Sequence, residues 1–178
     1  MDSERILQRI AGLAAGKINR KEVIFMTTIS KKIGINAPVE RVFSLVTSPE
    51  NWPRFVSGLV EVRDLSPDMP SKGGTFTWEY NLMGRRVTGR GEMTEYEKDK
   101  RCALLLTGEF PMKENYEFSR TPGGTELKVD VEYGIGPGRT WQDVFGSGKE
   151  ALDRVNELET GTILEKIKIL SEEKTLKS

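Results

Sequence analysis

Glu114 and Tyr116 stand two residues apart in the run Met112 to Phe118, so on a strand their side chains leave the same face. Tyr80, in the alternating run Phe76 to Leu82, supplies a second phenol. A carboxyl and phenols turned into an apolar interior are general acid–base candidates, because burial moves both kinds of pKa. These three do not by themselves make a catalytic constellation. Glu114 has two readings: a buried carboxyl with a raised pKa, or a solvated rim residue at the strand's end. Arg85 and Arg86, after the Met83-Gly84 turn, are either surface charges or guards of a pocket mouth for an anionic head group. The chain has no histidine, which excludes His-activated nucleophiles, His metal sites and an imidazole switch near neutral pH. Cys102 is the single cysteine, so neither an internal disulfide nor a zinc cluster is expected. In the run Cys102 to Leu106 it reads as a small buried hydrophobe. Neither a metal nor a cofactor is expected. Gly134 to Gly138 precedes a helix and superficially suggests phosphate binding. It lacks the Lys-Ser/Thr of a phosphate loop, and Arg139 stands where a dinucleotide fingerprint needs glycine, so it reads as a hinge.

The elements that position these residues follow from length and periodicity. At roughly 150 residues per domain, 178 residues make one domain with a short appendage. Lys plus Arg and Asp plus Glu cancel at 27 each, which argues against nucleic acid as a partner. No apolar run reaches the length of a transmembrane helix, and neither a signal core nor a glycosylation sequon is present, so a cytoplasmic protein is expected. Residues 1–25 form an amphipathic extension, with Ile6, Ile10 and Leu13 at helical spacing and Leu7, Ala14 and Ile18 beside them. It is expected to pack on the domain, on a second copy as a homodimer, or on a protein partner; a membrane-surface role is the alternative, against which stands the lack of aromatic anchors. Met26 stands as a second candidate start for the domain over residues 26–178.

From Thr27 the period becomes two, with Ile29, Ile33 and Ile35 on one face. Asn36 is placed to cap and Pro38 to open a short helix whose stripe is Val39, Val42, Phe43 and Val46. A second short helix follows Ser48-Pro49, turning Trp52, Phe55 and Val56 inward. Six strands come next, at Val60 to Leu65, Phe76 to Leu82, Arg86 to Tyr96, Cys102 to Thr107, Met112 to Phe118 and Leu127 to Ile135. Their short connections make the sheet antiparallel. A long helix over Arg139 to Ser171 ends the chain, with Leu152, Val155, Leu158, Ile163, Ile167 and Leu170 near one face and a bend expected at Gly161. The fold class is α+β: a seven-stranded curved antiparallel sheet wrapped around a long C-terminal helix, with two short helices after the first strand and an extra N-terminal helix.

The run Ile33-x-Ile35-Asn36-Ala37-Pro38-Val39-Glu40-x-Val42-Phe43, then Leu45 and Trp52-Pro53-x-Phe55, resembles the opening of the START/polyketide cyclase (SRPBCC) superfamily. Gly73-Gly74-Thr75 before an aromatic strand, the Gly123-Gly124-Thr125 hairpin and the terminal helix agree with it. The likeness covers about residues 27 to 170 and points to the polyketide cyclase/dehydrase-like branch. It implies a helix-grip fold enclosing a cavity between sheet and long helix. Register then selects the candidate lining: Trp78, Tyr80, Gly89, Gly91, Met93, Tyr116, Phe118, Val131 and Tyr133 from the strands, with Trp141, Phe145 and Gly148 from the helix. Gly89 and Gly91 either open space for a ligand, with Gly148 facing them, or mark a bend that closes the sheet. The expected function is binding, and transport, of an apolar or amphipathic small molecule such as a lipid, isoprenoid or aromatic polyketide. The alternatives are a cyclase/dehydratase using Glu114, Tyr80 and Tyr116, and an interaction protein docking through residues 1–25.

Overall fold

The computed structural model describes residues 24–82, 84–108, 110–135 and 149–173. The expected N-terminal helix and the candidates Trp141, Phe145 and Gly148 lie outside the described residues. Strand β1 (Ile24–Ile35) leads into helix α1 (Val39–Thr47), a 3-10 turn (Pro49–Asn51) and the single-turn helix α2 (Trp52–Phe55). Strands β2 (Leu59–Arg63), β3 (Thr75–Leu82), β4 (Arg85–Glu97), β5 (Arg101–Gly108), β6 (Met112–Thr121) and β7 (Gly124–Ile135) follow, then helix α3 (Lys149–Glu172). The seven strands form one antiparallel, curved sheet in the order β1-β7-β6-β5-β4-β3-β2. Strands β2 to β7 are thus a meander, and β1 closes it by pairing with the last strand. The segment between β1 and β2, which holds α1 and α2, therefore runs from one edge of the sheet to the other. The described 24 residues of α3 span about 36 Å and continue as one helix through Gly161.

Alternation builds the inner face as expected on most strands. On β7, Leu127, Val129, Val131 and Tyr133 are all buried, while the alternating Lys128, Asp130 and Glu132 are not. Helix α1 buries Val39, Val42, Phe43 and Val46, and Phe43 meets Phe118 and Tyr96 edge-to-face at 5.1 and 5.2 Å. Pro38, not Asn36, occupies the N-cap of α1, and no side chain caps it. The backbone N–H of Asn36 instead donates to Glu172 Oε1 (2.7 Å), while Lys168 Nζ donates to the Gly34 carbonyl (2.8 Å). Together they pin the end of α3 to the end of β1.

The glycine-threonine hairpin belongs to the same joint. Gly124 has φ +142°, and a Cβ there would lie 2.3 Å from the Ile35 carbonyl oxygen and 2.8 Å from Ala37 N, so only glycine lets these chains approach. The next residue, buried Thr125, donates from Oγ1 to the Ala37 carbonyl (2.7 Å). The two sequence motifs thus form one tertiary contact.

Two faces differ from expectation. In β2 the register shifts between Leu59 and Glu61, so Leu59 and Val62 pack against the core while Val60 and Leu65 are exposed. On α3 the buried side carries Thr160, Leu164, Ile167 and Ser171, and Val155 and Leu158 are 50% and 73% exposed. The expected stripe tracked hydrophobicity, but the helix turns a partly polar face inward.

Candidate functional site

The sheet register places the inward side chains in rows across the strands. One row runs Met93, Leu104, Glu114, Val131, Ile29, and a second runs Phe76, Gly91, Leu106, Met112, Tyr133. Cys102, Tyr116 and Val129 make a third. Between these rows and α3 lies a cavity of about 170 Å³. Trp52, Phe55 and Leu59 close one side of it; Leu82, Leu106 and Phe110 come from the ends of β3 and β5 and from the turn that follows β5. Most of the wall is apolar. Its polar groups are Tyr80 on β3, Glu114 and Tyr116 on β6, Tyr133 on β7, and Asn156, Glu159 and Thr160 on α3.

Glu114 is therefore a wall residue in mid-row, not the solvated rim residue that one reading made it. It accepts a hydrogen bond from Tyr116 Oη (2.8 Å). Burial pushes the Glu114 carboxyl up and the charge of Glu159 adds to this, against the lowering effect of the Tyr116 bond. Burial, with the adjacent Glu114, pushes the Tyr116 phenol well above its ordinary value. From the opposite wall, Tyr80 Oη donates to Glu159, and burial together with that carboxylate raises the Tyr80 phenol. Tyr133 Oη donates to Asp153, and its phenol is raised to about 12 by burial and that bond. Cys102 lies buried in the wall, its thiol pushed up to about 12 chiefly by burial. It is not a nucleophile at neutral pH.

Of the expected lining residues, the structure places Trp78, Tyr80, Met93, Tyr116, Val131 and Tyr133 on the cavity wall. Phe118 is not among them, because its ring packs against Phe43 of α1. Gly89 and Gly91 open no space. A Cβ at Gly91 would fall 2.1 Å from Phe76 Cζ, and one at Gly89 would fall 2.4 Å from the Trp78 indole and 2.0 Å from the Thr107 carbonyl oxygen. Each glycine is covered by the aromatic ring of its cross-strand partner on β3, as Phe76 pairs with Gly91 and Trp78 with Gly89. The irregularity in β4 falls later, between Met93 and Glu95, so the glycines do not mark the bulge either. Arg86 is an exposed partner of Glu79, and the Arg85 guanidinium lies 6.0 Å from the centroid of the Phe110 ring at the cavity's edge.

Sequence reasoning missed Glu159, Asn156 and Thr160. They share one face of α3 with Ile163 and Ile167 at helical spacing, a signal that the hydrophobic reading of the helix discarded.

An antiparallel sheet gripping one long helix around a largely apolar cavity defines a small-molecule-binding class of fold. Residues 26–160 match the family model for polyketide cyclase/dehydrase and lipid transport, and the chain belongs to that family. No curated protein matches the sequence significantly. Among solved structures, a conserved protein from Geobacillus kaustophilus is similar at TM-score 0.69 and 15% identity, over 83% of this chain and 96% of that one. A protein from Chromobacterium violaceum is similar at TM-score 0.63 and 16% identity, over 83% and 99%. The di-domain aromatase/cyclase StfQ of the steffimycin biosynthetic pathway is similar at TM-score 0.67 and 15% identity, over 85% of this chain and 52% of that one. At these identities the likeness is one of fold.

Proposed function

We propose that the protein binds an apolar or amphipathic small molecule in the cavity between sheet and α3, as a carrier and not as an enzyme. One observation carries the reading: a cavity of about 170 Å³, with mostly apolar walls, lies between sheet and helix in a chain of a family described by lipid transport as well as cyclisation. An engineered apolar cavity of roughly 150 Å³ holds benzene, so the volume as it stands suits a molecule of one or two rings, an isoprenoid or aromatic polyketide fragment. A longer lipid requires the wall to move. Among the described residues, no helix is long and apolar enough to cross a membrane. The test is extraction of the purified protein into organic solvent with mass spectrometry, together with thermal shift against two-ring aromatics. A co-purifying apolar molecule, or saturable stabilisation that is lost when Val131→Trp fills the cavity, is the expected result. Neither being seen overturns the reading.

A second reading, a cyclase or dehydratase, is favoured by one feature: the Glu114–Tyr116 and Tyr80–Glu159 pairs line the same cavity. Two carboxyls in different environments are the usual arrangement for paired acid and base roles. Turnover of a polyketide-like substrate that is lost in Glu114→Gln, with binding retained, would establish it. Turnover unchanged in Glu114→Gln and Tyr116→Phe removes these residues from that role. Docking through residues 1–25 concerns a segment of which only Ile24 and Phe25, the start of β1, are described.

A further inference from the structure

The polar groups of the cavity are unevenly matched. Among the described lining residues, the Trp52 indole N–H donates to the Val46 carbonyl (2.7 Å) and the Trp78 indole N–H to the Arg90 carbonyl (3.2 Å). Tyr80 donates to Glu159, Tyr116 to Glu114, and Tyr133 to Asp153. Thr160 Oγ1 donates to the Asn156 carbonyl (2.7 Å). Each of these six donors is already engaged within the protein. Apart from the Asn156 amide, the remaining capacity is mostly acceptor capacity, because an ionised carboxyl carries about four lone-pair sites and, among the described residues, each of these carboxyls has a single phenol donor assigned to it. No lysine or arginine is among the described lining residues; Arg85 stacks on Phe110 at the edge without lining the cavity.

We infer that the cavity selects an apolar molecule whose polar end donates hydrogen bonds, neutral or cationic, to Glu114 and Glu159, and discriminates against molecules ending in a carboxylate or phosphate. The inference rests on the ligand-binding reading above. An anionic end would enter a low-dielectric space that already holds two carboxyls, with little donor capacity left to replace its water shell. A hydroxyl or ammonium end meets carboxyl oxygens that have one phenol donor each among the described residues, and hydrogen bonds in which either partner is ionised are the stronger kind. The two acids come from opposite walls, β6 and α3, so a donor between them is held in orientation as well as recognised.

The experiment uses the full chain at neutral pH and four probes of one shape: naphthalene, 2-naphthol, 2-naphthylmethylamine and 2-naphthoate. Binding is followed by probe fluorescence and by thermal shift. The alcohol and the amine are expected to bind about tenfold or more tightly than the carboxylate, the scale of one charge-assisted hydrogen bond. The gap should narrow in Glu114→Gln and in Glu159→Gln, whose folding is checked by circular dichroism. If either variant fails to fold, the wild-type ranking alone decides. Equal or tighter binding of 2-naphthoate, as an anion-binding role for Arg85 would produce, overturns the inference. So does a gap unchanged in both folded variants. Naphthalene binding without discrimination among the polar probes overturns the inference and leaves the ligand-binding reading standing. Binding of none of the four overturns that reading, and the inference with it.

Discussion

Replacing Gly91 by alanine tests whether the glycines of β4 make room for a ligand or for a neighbouring ring. The new Cβ would stand 2.1, 2.4 and 2.7 Å from three carbons of the Phe76 ring. Carbon atoms pack at about 3.5–4.0 Å, so the ring must retreat by roughly 1.4 Å. Phe76 is buried, and Trp52 packs edge-on against it at 4.9 Å, so little of the surrounding volume is free. The open direction is the cavity, which Phe76 helps to wall. Overpacking of this kind costs about 1–3 kcal/mol. In a domain of this size each kcal/mol moves Tm by about 2–4 °C, so a central value of about 2 kcal/mol lowers Tm by roughly 4–8 °C. Uptake of naphthalene should weaken at the same time, as the displaced ring takes cavity volume. Gly89→Ala should fall further, because its Cβ meets the Thr107 carbonyl oxygen at 2.0 Å, and a backbone atom of a paired strand cannot rotate away. The assay is urea and thermal denaturation of wild type, Gly91→Ala, Phe76→Leu and the double variant. Phe76→Leu should cost less in the Gly91→Ala background than in wild type, with a coupling of about 0.5–3 kcal/mol. A Gly91→Ala protein that melts within about 1 °C of wild type, with additive effects in the cycle, refutes the packing argument.

Glu114→Gln should gain stability over wild type as pH rises. The folded protein holds the Glu114 proton above its ordinary pKa of 4.5, so the wild type loses stability from that pH upward, until the raised pKa is passed; glutamine does not titrate. A Tm difference between the two that is constant from pH 4 to about pH 8 contradicts this. Thr125→Val should cost about 1–3 kcal/mol by urea denaturation, since it leaves the Ala37 carbonyl without its buried 2.7 Å donor; a neutral result means that water reaches the joint. Cys102, buried and with its thiol raised to about 12, should resist an aromatic disulfide reagent in the native protein and react once per chain in denaturant. Rapid native labelling would show that the cavity wall opens at that strand.

Where a residue packs against a regular face, its fate was legible in one dimension. The alternation of Leu127, Val129, Val131 and Tyr133 with charged residues fixes the inner face of β7, because a one-residue slip would bury Lys128, Asp130 and Glu132. The apolar stripe of α1 and the antiparallel meander follow from the same kind of argument. The Ile33 to Phe43 run and the Gly123-Gly124-Thr125 turn were legible as motifs, but only the folded chain shows them touching, through Gly124 and Thr125 against Ile35 and Ala37. The cavity itself depended on tertiary structure. Small residues on paired strands look like empty space until the rings of Phe76 and Trp78 are seen lying across Gly91 and Gly89. Glu114 could be assigned to a face by its register, but whether its row ended in solvent depended on how α3 covers the sheet. Helix α3 misled for the same reason. Hydrophobic periodicity reports burial against other atoms, and a helix that faces a cavity instead can turn Asn156, Glu159 and Thr160 inward while leaving Val155 and Leu158 exposed.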